Sequence, residues 1–466
     1  MARTPSAPFA LVPLLLVGAC DVGETSHASG SGGGAAASTA ASTGTGGSAP
    51  LAGTVALTAA GALAIAPTAF GQNYWSWEPS FGDPLAGTET MAAAMHLGFL
   101  RAGGNNNDTQ SPSPFTNAEI DAFVAYSRAV GAEPDLQVPI LADVTSAPGT
   151  AQGAADMVTY ANKTMGYGIK YWSIGNEPDL YSTTVGLPMY GNYTAADYCA
   201  TFTAFAQAMK AVDPTIKILG PELSYRYTPE GDWLTPFLDG CKDQVDIVTV
   251  HRYPLDPSAT TVAAAFADAD AFRQVAVALR ANLDAHGMTA TPLGFTEANV
   301  TWDGTPSKST LPASPSTFFA GLWAADVTGV ALEQGLFTQA FWHVADGSTG
   351  WKLAFILGGQ PAPAYHAVSL FAQHFTGASL RVSGVPAGFS VYGSQDPQAG
   401  TAVMVLNKTA ATARLGLTFD QVPAQEITLE GQSQAALLIH SGGGAAQVLR
   451  YTQALAAAGM GPAQDP

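Results

Sequence analysis

Residues 171–181 read YWSIGNEPDLY, and this stretch, Tyr171 to Tyr181, decides the fold. A short apolar run of β-forming residues stops at Gly175 and delivers a carboxylate, Glu177, between Asn176 and Pro178. Pro178 has no amide hydrogen with which to extend a ladder, so the strand ends there and Glu177 projects from its carboxyl end. Parallel α/β barrels carry their chemistry at that end of the strands. The bland alternative, a strand-ending Glu that caps the next helix, loses ground once a second carboxylate appears in matching context.

Working outward, eight strand-like runs recur at intervals long enough for a helix between them. They are PTAFGQNYW from Pro67, GFLRAGG around Arg101, DLQVPIL from Asp135, KYWSIGNEP, IKILGPE ending at Glu222, VDIVTVHRYP around His251, PLGFTEAN around Glu297 and TQAFWHV around Trp342. Helical patterns lie between them. Thr116 and Glu119 have capping-box spacing, and Tyr198, Phe202, Phe205, Met209 and Val212 form one helical stripe. Strand and helix alternating eight times is the pattern of a (β/α)8 barrel, placed over residues 67–376.

The flanks have a different period. Two short alternating runs between Gly53 and Ile65 suit edge strands, and after a last helix over Pro361–Phe375 come SLRVSG, FSVYGS, TAVMVLN, RLGLTF and AALLIH. Residues 51–66 and 377–450 are therefore expected to form an accessory antiparallel β-sandwich, with 451–466 a loose tail.

The second carboxylate stands three strand–helix units after the first. GFTEANVTW, Gly294 to Trp302, is a buried-strand run that delivers Glu297 at the carboxyl end of the seventh strand. Asn-Glu-Pro on strand four with Glu on strand seven resembles the clan A retaining glycoside hydrolases, and FGQN, GNEPDLY and the β-domain arrangement look most like families 79, 44, 39 and 51. The resemblance implies Glu177 as acid/base, Glu297 as nucleophile and Asn176 on the sugar 2-hydroxyl, with two carboxyls about 5–5.5 Å apart. It also implies that Arg101 holds Glu297 ionised, that His251 and Tyr253 touch the nucleophile's surroundings, and that Trp342 is the platform under the reacting sugar. Trp75 and Trp77 could stack on sugar rings, and Glu222 could line the site. Each has a structural reading as well: a buried ion pair for Arg101, hydrogen-bonded core groups for His251 and Tyr253, plain packing for the tryptophans. The expectation is a retaining glycosidase that acts on oligo- or polysaccharide without a metal or organic cofactor. The alternative is a catalytically inactive carbohydrate-binding surface lipoprotein.

Composition bounds the partners. The 466 residues suffice for one large domain and a smaller one, and 18 basic against 36 acidic residues give a net charge of −18. Phosphate binding needs basic stripes and none appear, so nucleic acid is excluded as a partner and a strongly sulfated polysaccharide is disfavoured. Residues 1–20 carry Arg3, then an apolar core with Leu14, Leu15, Leu16 and Val17, and end in LVGAC, which resembles a bacterial lipobox with Cys20 as the lipidated residue. The competing reading is an ordinary signal peptide cut further on. Residues 21–50 are nearly all Gly, Ala, Ser and Thr, a flexible tether with a mean reach of roughly 30 Å. Export, to the bacterial cell envelope through a lipid anchor or to the extracellular space, is the expected location, with the membrane touched only through that anchor.

Cys199 and Cys241 remain. Near the start of one predicted helix and the end of the next parallel one, they are expected to stand further apart than the ~7 Å a bridge can span, though an oxidising compartment would permit one. Neither has the Cys/His spacing of a metal site.

Overall fold

The computed structural model describes residues 49–75, 85–109, 115–141, 149–182, 191–225, 227, 231–305, 307–346, 351–420 and 422–465. The export signal with Cys20, most of the tether, and Trp77 lie outside the described residues. After an N-terminal strand Leu51–Ala64 (β1), eight parallel strands close into a barrel: Phe70–Tyr74 (β2), Phe99–Ala102 (β3), Glu133–Val138 (β4), Tyr171–Ile174 (β5), Lys217–Leu223 (β6), Ile247–Arg252 (β7), Leu293–Ala298 (β8) and Gln339–Phe341 (β9). All eight runs read from the sequence are barrel strands.

Side chains alternate across a strand, so every second residue faces the barrel interior. The first inward positions are apolar: Phe99, Tyr171, Leu219 and Ile247 join Phe337 and Ala340 in a plug at the amino-terminal end, with Phe99, Tyr171 and Phe337 packed edge to face. One step further along the same strands the inward residues turn polar: Arg101 after Phe99, Ser173 after Tyr171, Thr249 and His251 after Ile247. All four are buried. The alternation thus builds a dry floor and stands a polar layer on it.

The helices follow local signals. Thr116 accepts from the Glu119 amide and Glu119 reaches back to the Thr116 amide, closing the expected capping box on Asn117–Val130. Tyr198, Phe202, Phe205 and Met209 of Ala195–Val212 are buried as one stripe, with Val212 packed at its edge. Helix Phe318–Glu333 is instead buried nearly all round, because the barrel covers one side and the accessory sheet the other. Among the described residues no helix is long and apolar enough to cross a membrane.

After the short strands Ala345–Asp346 (β10), Ile356–Leu357 (β11) and Gln360–Pro361 (β12) and the helix Pro363–His374, the chain builds one large sheet. Its members are Ala378–Ser383 (β13), Phe389–Asp396 (β14), Gly400–Asn407 (β15), Ala413–Phe419 (β16), Gln425–Leu429 (β17), Ser433–His440 (β18), Gln447–Tyr451 (β19) and Ala463–Gln464 (β20), in the order β17-β16-β1-β13-β14-β15-β18-β19-β20. The sheet curls over its own core of Val55, Leu57, Val403, Val405, Leu415, Leu417, Ile427 and Leu437, while Ala402, Met404, Leu406 and Leu438 on the opposite face join the barrel's helix layer. Burial on both faces explains why TAVMVLN reads as a continuous apolar run.

Three local expectations are corrected. The runs between Gly53 and Ile65 are one strand, not edge strands: β1 lies between β13 and β16, parallel to the latter, and a register shift between Thr58 and Leu63 splits its alternation in two. Residues 451–466 are no loose tail, since Tyr451 is buried and β20 pairs with β19 after a helical turn at Gln453–Ala457. Cys199 and Cys241 are bridged, with Cα atoms 5.7 Å apart. The distance argument assumed a helix spanning the barrel's height. Leu234–Cys241 has eight residues, about 12 Å, so its end lies beside the first turns of Ala195–Val212, where Gly240 leaves room for the Cys199 sulfur.

Candidate active site

Glu177 follows β5 at a turn that only Gly175 permits. Gly175 has φ +70°, and a Cβ there would meet Ile140 Cδ1 at 2.8 Å and the Tyr181 hydroxyl at 3.0 Å. Asp108 fixes what comes next: its carboxylate accepts from the Asn176 amide at 2.9 Å, the Tyr181 hydroxyl at 2.5 Å and the Ile140 amide at 2.7 Å. Glu177 itself has φ +48° and Glu222 φ +57°, both in the left-handed region that non-glycine residues seldom occupy, and the Glu177 amide donates to the Glu222 carbonyl at 3.0 Å. Two strained turns are thereby tied together. Asp179 adds a second tie, accepting from the Ser224 amide at 3.0 Å and its hydroxyl at 2.8 Å.

Arg101 organises the centre. Nη1 donates to Glu297 Oε1 at 2.7 Å and Asn73 Oδ1 at 3.2 Å, and Nη2 donates to Asn176 Oδ1 at 2.8 Å and Gln137 Oε1 at 3.2 Å. The other Glu297 oxygen accepts from the Tyr253 hydroxyl at 2.8 Å. His251 stands between carboxylates, with Nδ1 3.1 Å from Glu177 Oε1 and 3.6 Å from Glu297 Oε2, and Nε2 2.8 Å from Glu222 Oε2. Asn176 Nδ2 donates to Asn105 Oδ1 at 2.8 Å.

Burial and charge set the protonation states. Burial raises the Glu177 carboxyl; His251 opposes this and Glu297 and Asp179 add to it, leaving Glu177 above its ordinary value. Burial alone would depress the His251 imidazolium, but Glu297, Glu177 and Glu222 outweigh it and push it up to about 10. Burial would likewise raise Glu222, and Arg101, His251 and Thr296 overcome it, bringing that carboxyl down to about 2. Asp135, one layer below, is pushed up to about 7 by burial and by Glu222 against the pull of Arg101.

One ligand atom each of Glu177, His251 and Glu297 lies within 4.8 Å of the others, a spacing a cation could use. His251 does not fit that role, because both ring nitrogens are already engaged, Nε2 by Glu222 and Nδ1 by Glu177. On one side of the carboxylates stands an aromatic wall: Trp75 and Trp342 have ring centroids 5.5 Å apart, Trp351 lies 6.3 Å from Trp75, and Tyr253 packs against them.

Arg101, Asn176, Glu177, His251, Tyr253 and Glu297 thus form one connected group, with Trp75 and Trp342 as a pair beside it. Glu222, which the sequence offered as a lining residue, is fully buried beneath His251. Asn73, Gln137 and Asp108 escaped sequence reasoning. The signal available for the first two was a polar residue at an inward position of an otherwise apolar strand.

Comparison with known proteins bears on the fold and on part of the sequence. The model of glycoside hydrolase family 44 matches residues 106–231, a stretch that includes Glu177 and Glu222 but not Glu297. An intracellular exo-α-(1→5)-L-arabinofuranosidase of Halalkalibacterium halodurans is 28% identical over 147 residues, which is 28% of this chain and 27% of that protein. The match therefore spans about a quarter of that relative's length. Among solved structures, a family 51 α-L-arabinofuranosidase from Bifidobacterium longum superposes with a TM-score of 0.63 at 14% identity, covering 83% of this chain and 99% of its own. A Paenibacillus polymyxa xyloglucanase from glycoside hydrolase family 44 gives 0.60 at 13%, covering 82% and 98%. The solved neighbours share the fold of this chain, and the family model matches only the stretch around Glu177 and Glu222.

Proposed function

We propose that the protein is a retaining glycosidase in which Glu297 is the nucleophile and Glu177 the acid/base. The observation that carries this reading is that an oxygen of each carboxyl lies within 4.8 Å of the other and that the two groups differ in surroundings. Inverting enzymes need room for a water between the carboxyls, about 6.5–9.5 Å; a closer pair fits direct attack. Arg101 and Tyr253 both donate to Glu297, one to each oxygen, which holds that carboxyl in place for attack. Glu177, raised by burial, holds a proton to give.

The reaction then runs in two displacements. Glu297 attacks the anomeric carbon as the glycosidic C–O bond breaks, and Glu177 passes its proton to the departing oxygen. Glu177, now a carboxylate, takes a proton from water as that water attacks the same carbon and frees Glu297. The aromatic wall of Trp75 and Trp342 is suited to the apolar face of a sugar ring. A pure binding protein would use that wall but has no need of the Arg101 and Tyr253 donors.

Because the curated relative is an arabinofuranosidase and the family 44 neighbour a xyloglucanase, α-L-arabinofuranosides and xyloglucan are the first substrates to test. The purified protein is expected to release aryl alcohol from at least one of a panel of aryl α-L-arabinofuranosides, β-glucosides and β-xylosides. Failure on the whole panel and on xyloglucan would overturn the reading. Export and lipid anchoring at Cys20 belong to the same proposal, and Cys20→Ser should move the protein from the detergent phase to the aqueous phase of a detergent partition.

A further inference from the structure

Glu222 takes no part in making or breaking bonds, yet it is held with unusual care. Its Oε1 accepts from the Ser173 hydroxyl at 2.9 Å and the Thr249 hydroxyl at 2.8 Å, Oε2 accepts from the Thr296 hydroxyl, and Arg101 Nη2 stands 3.7 Å away. A buried carboxyl group with the Thr249 and Thr296 hydroxyls, a Ser173 hydroxyl shared with Asp135 at 2.7 Å, and a guanidinium beside it stays ionised. It follows that His251 Nε2, 2.8 Å from Oε2, carries a proton. The other nitrogen then decides the charge. Nδ1 points at Glu177 at 3.1 Å and Glu297 at 3.6 Å, and a lone pair there would face at least one carboxylate, whereas an N–H can serve both.

Resting on the glycosidase reading above, we propose that Glu222 is a positioning residue that acts through His251: it fixes the imidazole as a doubly protonated cation whose Nδ1–H stands between the two catalytic carboxyls and serves whichever of them is charged. Before attack the anion is Glu297, whose Oε2 lies 3.6 Å from Nδ1, while the protonated Glu177 sits beside it at 3.1 Å. In the glycosyl-enzyme Glu297 is an ester, Glu177 has given up its proton, and the same N–H stabilises the Glu177 carboxylate until it takes a proton from water. His251 keeps both of its protons throughout, so the proton count closes between Glu177, the leaving group and water.

The groups that face His251 are consistent with this. Glu177 comes from the loop after β5, Glu222 from β6, Glu297 from β8 and Tyr253 from the end of its own strand, with Arg101 of β3 and Asp135 of β4 a layer back. Two cations, Arg101 and His251, balance the two carboxylates of Glu222 and Glu297 and leave Glu177 and Asp135 to hold protons. Removing the Glu222 charge would let His251 fall back toward its ordinary value of about 6.5, leaving the Glu177 carboxylate without its donor above that pH.

The test reads the imidazole directly. In long-range proton–nitrogen spectra of the 15N-histidine-labelled protein, with His251 assigned through His251→Asn, both ring nitrogens should remain protonated from pH 5 to pH 8. In Glu222→Gln they should titrate within that window. Kinetics with a fast-leaving aryl glycoside should show the ratio of wild-type to Glu222→Gln kcat growing at least tenfold between pH 5 and pH 8, which a merely structural role would leave constant. A wild-type His251 that titrates near 6.5, or a Glu222→Gln protein whose His251 stays protonated and whose kcat ratio is flat, overturns the inference. The wild-type spectrum decides the matter should the variant not fold. A wild-type protein with the cation in place that hydrolyses no glycoside would sustain this proton assignment and overturn the glycosidase reading instead.

Discussion

Glu177 and Glu297 are one residue type in two environments, and the difference makes them fail differently. Glu297→Ala should lower turnover at least about a hundredfold, and azide should fill the vacated space and yield a glycosyl azide of inverted configuration. Glu177→Ala should still form the intermediate from activated substrates, which need little protonation, and azide should then give the retained product. The reverse pattern, a retained azide from Glu297→Ala and an inverted one from Glu177→Ala, would show that the roles are exchanged. The raised Glu177 carboxyl also sets a pH limb: the acid works only while protonated, so kcat/KM should fall as pH rises through a value above the ordinary ~4.3 of a glutamate, and a profile flat into alkaline solution removes Glu177 as the acid. Asp135 gives a stability counterpart. Its carboxyl is raised to about 7 in the folded protein, so the fold binds that proton more tightly than the unfolded chain, and stability declines as pH rises from about 4 through 7. Asp135→Asn should reduce that decline, visible as a melting temperature that changes less than wild type between pH 5 and 8. The carboxylates, Arg101 and His251 were legible because each ends a strand run. Asn73 and Gln137 were not, because a lone polar residue in an apolar strand does not announce which face it takes, and Asp108 sits on the short helix Asn105–Thr109, whose contact with the Glu177 turn no strand pattern displays.

At the scale of elements, period and punctuation carried the reading, while lengths misled it. Eight strands and the Thr116 capping box follow from local chemistry, so Thr116→Ala should cost about 1 kcal/mol, read as a matching drop in unfolding free energy and little change in kcat. The cysteines were misjudged because a short helix was taken for one spanning the barrel's height. Their bridge closes a loop of 42 residues that contains β6 and therefore Glu222. By the chain-entropy argument such a loop contributes up to about 4 kcal/mol, so reduction, or the paired change of Cys199 and Cys241 to Ser, should lower the melting temperature markedly. A melt indifferent to reductant would mean that the packing of Phe202, Phe237 and Tyr198 alone holds the two helices together.

At the scale of the whole molecule, the accessory sheet is seated on two helices of the barrel, Phe318–Glu333 and Pro363–His374. Phe318–Glu333 has almost no polar face, a pattern that signals burial on all sides, and the sheet supplies the missing cover. The contact is specific. Tyr392 of β14 lies flat over Gly329 and donates to Asp326 at 2.6 Å, and Lys408 reaches the same carboxylate at 3.1 Å. A Cβ on Gly329 would stand 2.3 Å from the Tyr392 ring. Alanine in mid-helix ordinarily stabilises by about 1 kcal/mol over glycine, so the sign of Gly329→Ala separates helix propensity from docking. Docking should win: overpacking costs about 1–3 kcal/mol, and the variant should melt below wild type in a single transition, since sheet and barrel share one core. Tyr392→Ala should be destabilising on its own, through the lost ring and the hydroxyl to Asp326. In that background the clash is gone, and Gly329→Ala should become neutral or stabilising. Additive losses in the double variant would mean that the glycine is required by the helix itself, and the close approach of Tyr392 would no longer explain how the sheet is seated.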